Sequence, residues 1–338
     1  MIREAIHDLV AGHDLGRERA RAAMDDIMSG GASESVIAGF LIGLRMKGET
    51  VDELVGLVES MRSHATMISA PRGAVDTCGT GGDGSGTFNI STAAALVMRG
   101  AGAVVAKHGN RASSSACGSA DVLEELGVAI ALPPAAAEEC LRQVGIAFLL
   151  APNFHPSMRY ASVPRRELGV RTVFNLLGPM ANPAGVRHQA VGVGSAEATE
   201  RVAQVLAALG HERALVFHGA GGLDELSTTG PSDVYEVSNG TVRQFRIDPA
   251  ELGLATAAPA DLRGGDAHRN AEIVRSVLDG TEGAPRDVVL LNAAAGLVAA
   301  GKCGTMGEGL DVARQSINSG AARAALDDLA RVSTLLAA

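Results

Sequence analysis

Up to about residue 64 the apolar positions recur at helical spacing: Ile6, Leu9 and Val10, then more strongly Val36, Ile37, Phe40, Leu41 and Leu44. Thr50-Val51-Asp52-Glu53 has the form of a capping box opening a helix through Leu54, Leu57, Val58 and Met61. The first segment is therefore expected to be all helix. After Pro71 the pattern changes to short apolar runs ending in glycine-rich turns, such as 103-AVVAK-107, 146-IAFLL-150, 189-QAVGV-193 and 213-RALVFH-218, alternating with helical stretches. That alternation predicts an α/β fold with a mainly parallel central sheet. Pro152, Pro156, Pro164, Pro179 and Pro183 punctuate residues 151–185, which are expected to cross back to the helical part and return. Ile273, Val274, Val277 and Leu278, then Val288 to Leu297, predict helices that cover the sheet. The expected division is a small N-terminal helical domain, 1–70 joined by about 163–178, and a large α/β domain, 71–338.

Composition narrows the function. With 29 basic against 38 acidic residues the formal charge is −9, which disfavours a duplex-binding face that neutralises phosphates. Cys78, Cys117, Cys140 and Cys303 lack paired metal-type spacing and fit a reducing compartment, so the cytoplasm is expected. The N-terminus lacks the basic start and apolar run of a secretory signal. The longest apolar runs, such as 290-LLNAAAGLVAA-300, fall short of a ~20-residue membrane span, so no membrane association is expected. Aromatics are few and tryptophan is absent, which implies a core of Ala, Val and Leu.

Candidate chemistry concentrates in three stretches. In 79-GTGGDGSGTFNIST-92, five glycines fall within the first eight residues. Glycine costs chain entropy and buries nothing, so such a cluster implies unusual dihedrals or something pressed against the main chain. Gly79 to Gly84 meets the dinucleotide pattern letter for letter, yet positions 99–111 hold Arg99, Lys107, His108 and Arg111 and no acid. No lysine followed by Ser or Thr closes the glycines as a P-loop would require. What is left is a strand, 73-GAVDT-77, a glycine loop, and a helix from about Asn89 with Asn89, Ser91 and Thr92 in its first turn. Bare amides next to a helix N-terminus suit phosphate.

The second stretch, 107-KHGNRASSSACGSADVLEELGV-128, follows the next strand: Lys107 and Arg111 supply charge, and Asn110, Ser113, Ser114, Ser115 and Ser119 supply neutral donors. Such loops also serve plain helix capping. Two of them at the carboxyl ends of neighbouring strands, however, converge on one crevice, for a ligand with several phosphates. The third, 217-FHGAGGLDELSTTGPSDVYEV-237, sets Asp224 and Glu225 side by side. Alone it reads as a solvated acidic turn; beside two phosphate loops it suits Mg²⁺ bridging to substrate phosphates.

Taken in register, 79-GTGGDGSGTFNIST-92, 107-KHGNRASSS-115 with 118-GSADVLEELG-127, 165-RRELGVRTVFNLLGPMANPA-184 and 224-DE-225 resemble the anthranilate phosphoribosyltransferase family over almost the whole chain. The resemblance implies transfer of phosphoribose from 5-phosphoribosyl diphosphate to the amino group of anthranilate, in tryptophan biosynthesis, by a homodimer associated through its helical domain. It places Gly79, Gly82, Asp83, Thr87, Asn89, Ile90, Ser91 and Thr92 around the donor. Lys107, His108, Gly109, Asn110, Arg111, Ala112, Ser113, Ser114, Ser115 and Ser119 join them. It implies that Ser91, Asp224 and Glu225 hold Mg²⁺, with two ions expected per chain, and that Gly79, His108, Asn110, His155, Arg165 and Pro179 face anthranilate. Two departures touch the acceptor side: Met180-Ala181 stands where the family often has Leu-Thr, and 155-HPSMRYASVPRREL-168 varies a commoner His-Pro-Ala-Met-Lys pattern.

The implied reaction asks for stabilisation of negative charge growing on the departing diphosphate, which magnesium and aligned amides supply. The aromatic amine is neutral and attacks without prior deprotonation, so no general base is assigned; Lys107, Asp224 and Glu225 act electrostatically. Two rivals share the layout. Pyrimidine nucleoside phosphorylases typically carry Lys-Met-Ser-Gly-Arg where this chain has 107-KHGNR-111, and a non-catalytic binding module has no need to keep Asn110, Arg165, Asp224 and Glu225 together.

Overall fold

The computed structural model describes residues 1–112 and 116–338; the candidate donors Ser113, Ser114 and Ser115 lie outside the described residues. The chain begins with four helices, Ile2–Val10, Gly16–Met28, Glu34–Lys47 and Val51–Ser63. The first buries Ile2, Ala5 and Leu9, one stripe at i, i+3 and i+7. Val10, adjacent to Leu9 and so about 100° round the helix, is instead 78 % exposed. The capping box forms: Thr50 Oγ1 accepts from the Glu53 amide at 3.3 Å and Glu53 Oε2 accepts from the Thr50 amide at 2.8 Å. The fully buried Glu53 carboxylate also takes the Leu15 amide and Lys47 Nζ, each at 2.9 Å, so one side chain ties three helical segments together. Gly56 lets two helices touch backbone to backbone, because a Cβ there would sit 2.1 Å from the Arg17 carbonyl oxygen.

Seven strands follow: β1 Val75–Gly79, β2 Val105–Gly109, β3 Ile146–Leu150, β4 His188–Gly192, β5 Arg213–His218, β6 Ser232–Ser238 and β7 Thr241–Ile247. They form one sheet in the order β3-β2-β1-β4-β5-β6-β7. The first five are parallel, whereas β6 and β7 are antiparallel at one edge. That last pair is a hairpin through Asn239 and Gly240, both at positive φ (47° and 83°), the conformation of a type I′ turn. β1 begins two residues later than the apolar run, since Ala74 N–H closes a turn onto the Pro71 carbonyl.

Alternation along the strands divides the interior in two. Leu215 and Phe217 of β5 join one core with the helices Ile90–Gly100 and Ala284–Ala299. Ala214 and Val216 join the other, shared with the N-terminal helices and with Ala196–Ala208. The proline-rich segment contributes helices Arg159–Leu168 and Phe174–Met180, whose Ala161, Phe174, Leu177 and Met180 pack into this second core. The chain leaves β1 toward β2 and β3 on one side and places β4 on the other, so β1 and β4 flank the point where the strand order reverses, and the carboxyl ends of the strands there are where open α/β sheets place their ligand sites.

Candidate active site

The glycine loop follows β1 at that point. Gly81, Gly82, Gly84 and Gly86 all lie between φ 65° and 72°, the left-handed region, so a side chain at any of them strains the backbone. The loop is tied at both ends: Thr80 N–H donates to the Gly192 carbonyl at 2.9 Å, and Gly264 N–H to the Gly86 carbonyl at 2.9 Å. Thr87 bridges to Arg263. Helix Ile90–Gly100 begins immediately after, with Asn89 at its cap. Asn89 makes no cap bond; its Oδ1 accepts from Asn270 Nδ2 at 2.9 Å and its side-chain amide donates to the Cys117 carbonyl at 3.3 Å, which holds it between the two candidate loops. Ile90, Ser91 and Thr92 are buried, and Thr92 Oγ1 is buried without a partner.

The acidic pair meets this loop directly. Asp224 Oδ2 accepts the Gly81 amide at 2.6 Å, Glu225 Oε1 accepts the Ser91 amide at 3.1 Å, and Asp83 Oδ2 accepts the Asp224 amide at 3.4 Å. Lys107, 3 % exposed, donates to the Thr77 carbonyl at 2.6 Å and to Ser91 Oγ at 3.4 Å, so its ammonium lies beneath the same helix start. The three stretches thus come together. Burial, then the Asp83 charge, holds the Asp224 carboxyl well above the usual carboxylate range; burial, then Asp224, does the same to Glu225. Among the described residues no three His, Cys, Asp or Glu side chains form a metal cage. Two crowded carboxylates without a cage fit Mg²⁺, which takes one or two protein carboxylates and fills its remaining positions with waters and substrate phosphates.

The second loop is braced from below. Arg111 pairs with Asp121 at 3.0 Å and Glu124 at 2.8 Å, and the Ala112 amide donates to Asp121 Oδ2 at 2.9 Å. The Arg111 charge, expected to serve a phosphate ligand, is in this structure committed to the helix Ser119–Glu125. Asn110 is exposed, with Oδ1 on the Arg111 amide at 2.8 Å. Gly109 is a close approach, where a Cβ would sit 2.7 Å from the Phe148 ring and 3.4 Å from Ser119.

His108 and His155 pack with ring centroids 5.2 Å apart. Both rings sit against the backbone of the proline-rich segment, His108 by Gly178 and His155 by Ala181, on either side of Pro179. Burial, with the neighbouring ring adding to it for His108, pushes them down to about 3 and about 4, and each Nε2 is buried without a partner. Arg165 stacks its guanidinium over Phe174, 5.1 Å from the centroid, at the head of the helix that carries Pro179. Burial lowers its affinity for the proton. The two rings thus lie together beside the Pro179 stretch, and Arg165 lies over Phe174, the first residue of the helix that carries Pro179.

Two supports escaped the sequence reading. Arg171 Nη1 donates to the Gly82 carbonyl at 2.7 Å and fills the space a Cβ at Gly82 would need, joining the proline-rich segment to the glycine loop. Asp76, fully buried, accepts the His108 amide at 3.2 Å and Asn182 Nδ2 at 2.8 Å, while Gln189 Nε2 donates to the Pro179 carbonyl at 2.8 Å. An acid inside an otherwise apolar strand was the available signal for Asp76; nothing in the local pattern marked Arg171.

The sequence pattern described as "Glycosyl transferase family, helical bundle domain" matches residues 3–65, and "Glycosyl transferase family, a/b domain" matches residues 72–323. An anthranilate phosphoribosyltransferase from Pelotomaculum thermopropionicum is 56 % identical over 330 residues, covering 97 % of this chain and 96 % of the relative. The crystal structure of the anthranilate phosphoribosyltransferase from Thermus thermophilus is 42 % identical and superposes with a TM-score of 0.93 over 99 % of both chains. The Saccharomyces cerevisiae enzyme in complex with PRPP (5-phosphoribosyl diphosphate) and Mg is 27 % identical, with a TM-score of 0.91 over 98 % of both chains. With near-complete coverage, more than half of all positions shared with such a relative, and the glycine, lysine and acidic elements assembled in one place, the chain belongs to the anthranilate phosphoribosyltransferase family.

Proposed function

We propose that this protein transfers the phosphoribosyl group of 5-phosphoribosyl diphosphate to the amino group of anthranilate, releasing diphosphate, as a step of tryptophan biosynthesis. The observation that carries it is the contact of three chain segments at one point: Asp224 on the Gly81 amide, Glu225 on the Ser91 amide, and Lys107 on Ser91 Oγ.

In this reading the glycine loop and the start of helix Ile90–Gly100 receive the diphosphate, with Gly79, Gly82, Asp83, Thr87 and Asn89 to Thr92 around the donor. Ser91, Asp224 and Glu225 hold Mg²⁺, two ions per chain. Bound there, magnesium neutralises charge growing on the departing diphosphate. The chain's own part is preorganisation: amides and the Lys107 ammonium are fixed before the reaction, so little reorganisation accompanies bond cleavage. Arg165 takes the anthranilate carboxylate as a planar, bidentate donor, and Asn110 lies where the acceptor enters. His108 and His155 are neutral rings packed beside the Pro179 stretch, each with an Nε2 left buried and unpartnered among the described residues. Holding amine and ribose in line supplies the orientational share of the rate. No side chain is assigned as general base.

The working unit in this reading is a homodimer through the helical domain, 1–70 with 163–178. The exposed Met1, Val10 and Met46, at 68–83 %, support that surface. Among the described residues no helix is long and apolar enough to cross a membrane. The buried thiols Cys78, Cys140 and Cys303 support a reducing, cytoplasmic setting.

Anthranilate fluorescence tests the reading: it falls only when donor, Mg²⁺ and protein are all present. The double variant Asp224→Asn, Glu225→Gln keeps the fold and abolishes this loss; full activity in that variant removes the metal assignment. Turnover of thymidine or uridine with phosphate, and none of anthranilate, decides for a nucleoside phosphorylase instead.

A further inference from the structure

The helix Ala284–Ala299 is buried without interruption from Val288 to Ala299, and within that run Asn292 is the one polar side chain. Burying an amide costs free energy unless its donors and acceptor are matched. Asn292, 1 % exposed, matches them: Oδ1 accepts the Leu226 amide at 2.9 Å, and Nδ2 donates to the Leu226 carbonyl at 2.9 Å and to the Val288 carbonyl at 2.9 Å. One side chain thus grips both backbone groups of the residue that follows Asp224 and Glu225.

The grip is transmitted by covalent geometry. The Leu226 N–H lies in the same rigid plane as the Glu225 carbonyl, so fixing the one fixes the other. The opposite side is closed by close approaches. A Cβ at Gly219 would stand 2.1 Å from the Glu225 carbonyl oxygen, one at Gly192 1.7 Å from the Asp224 carbonyl oxygen, and one at Gly79 2.1 Å from Asp224 Oδ2. The backbone of the acidic pair is wedged between the loops after β1, β4 and β5 on one side and Asn292 on the other. Two adjacent buried carboxylates repel whenever both are ionised, as cation binding requires, and that repulsion works against the pair's geometry unless something else holds its backbone.

We propose that Asn292 is a positioning residue for the magnesium carboxylates, clamping the Glu225–Leu226 peptide so that Asp224 and Glu225 are set before the cation arrives. The proposal rests on the reading that these two carboxylates hold Mg²⁺. Partners of metal ligands are typically worth about 10–100-fold in metal affinity.

The test uses the full-length enzyme with Mn²⁺ as probe, titrated in the presence of 5-phosphoribosyl diphosphate and followed by electron paramagnetic resonance of the free ion. Asn292→Ala and the milder Asn292→Thr weaken Mn²⁺ by about tenfold or more, with the anthranilate KM changed less than about twofold. In the metal-free protein, amide exchange across residues 220–228 speeds up. Ser316→Ala, which removes a buried hydrogen bond to the Val97 carbonyl remote from the pair, leaves Mn²⁺ affinity as it was. If the Asn292 variants do not fold, Gly219→Ala displaces the same peptide from the other side and gives the same loss. Mn²⁺ affinity within about twofold of the parent, or equal weakening of Mn²⁺ and anthranilate, overturns the proposal. The Asp224→Asn, Glu225→Gln variant separates the two readings: retained Mn²⁺ binding there removes the metal assignment and Asn292 with it, whereas loss there with normal binding in the Asn292 variants removes Asn292 alone.

Discussion

Arg165 is a half-buried cation whose described neighbour is an aromatic face rather than a carboxylate. Such a group gains most when an anion arrives, and a hydrogen bond to a charged partner is worth about 1.5–3 kcal/mol. Arg165→Ala should therefore raise the anthranilate KM by an order of magnitude or more while the donor KM stays within about twofold. Arg165→Lys should not restore it, since an ammonium cannot reproduce the fork; steady-state kinetics with each substrate varied decides, and an unchanged acceptor KM removes the role. The buried histidines carry a second prediction. With His108 and His155 pushed down to about 3 and about 4, the unfolded chain binds their protons below about pH 6.5 and the folded chain does not. Their stabilising effect is thus complete above pH ~6.5 and is lost as pH falls toward the folded values, by roughly 1.4 kcal/mol per pH unit for each ring. Between pH 7.5 and 5.5 urea unfolding should show His155→Asn losing less stability than the parent, since the raised Asp224 and Glu225 carboxyls contribute the opposite slope equally in both; an identical slope in the variant would sink the assignment. The chemical types at these positions were legible because motif residues lie close together in the chain. Asp76 was not, because its partners His108, Asn182 and Gln189 lie 32, 106 and 113 residues away.

Among the elements, the glycine loop is the one most dependent on its neighbours. Left-handed dihedrals at Gly81, Gly82, Gly84 and Gly86 make it soft in isolation, and Arg171 braces it from the proline-rich segment. Arg171→Ala should raise the donor KM several-fold and speed proteolytic cutting between residues 80 and 87 in the free enzyme; equal cutting rates in variant and parent would show the brace to be idle. The position of this loop after β1 followed from its own glycines and from the capping pattern at Asn89. The antiparallel edge is different. Residues 232–247 fold back on themselves at Asn239-Gly240, a strong hairpin signal that stands at the edge of an otherwise parallel sheet. Strand starts shifted by up to two residues because turn hydrogen bonds, such as Ala74 N–H to the Pro71 carbonyl, outweigh the pull of an apolar residue to extend.

For the whole molecule, the segment that carries Arg165 and Pro179 packs its Phe174 and Leu177 into the helical core, yet reaches the sheet through Arg171 and through Gln189 on the Pro179 carbonyl. In the proposed reading, filling both substrate sites pulls on this segment from both ends. Small-angle scattering should show a smaller radius of gyration with diphosphate, Mg²⁺ and anthranilate than without them, and equal radii would argue against closure. What the chain's order of residues sufficed to establish is what depends on near neighbours: helix periodicity, capping at Thr50, the glycine-rich turn after β1, and the register of motifs that marks the family. Folding settled the partners. The Arg111 charge went to Asp121 and Glu124, Glu53 became a buried hub, and Asn292 closed on Leu226 from 66 residues away. A buried polar group takes whichever matching group the packing brings within hydrogen-bond reach, and that proximity is a property of three-dimensional closure which no local spacing encodes.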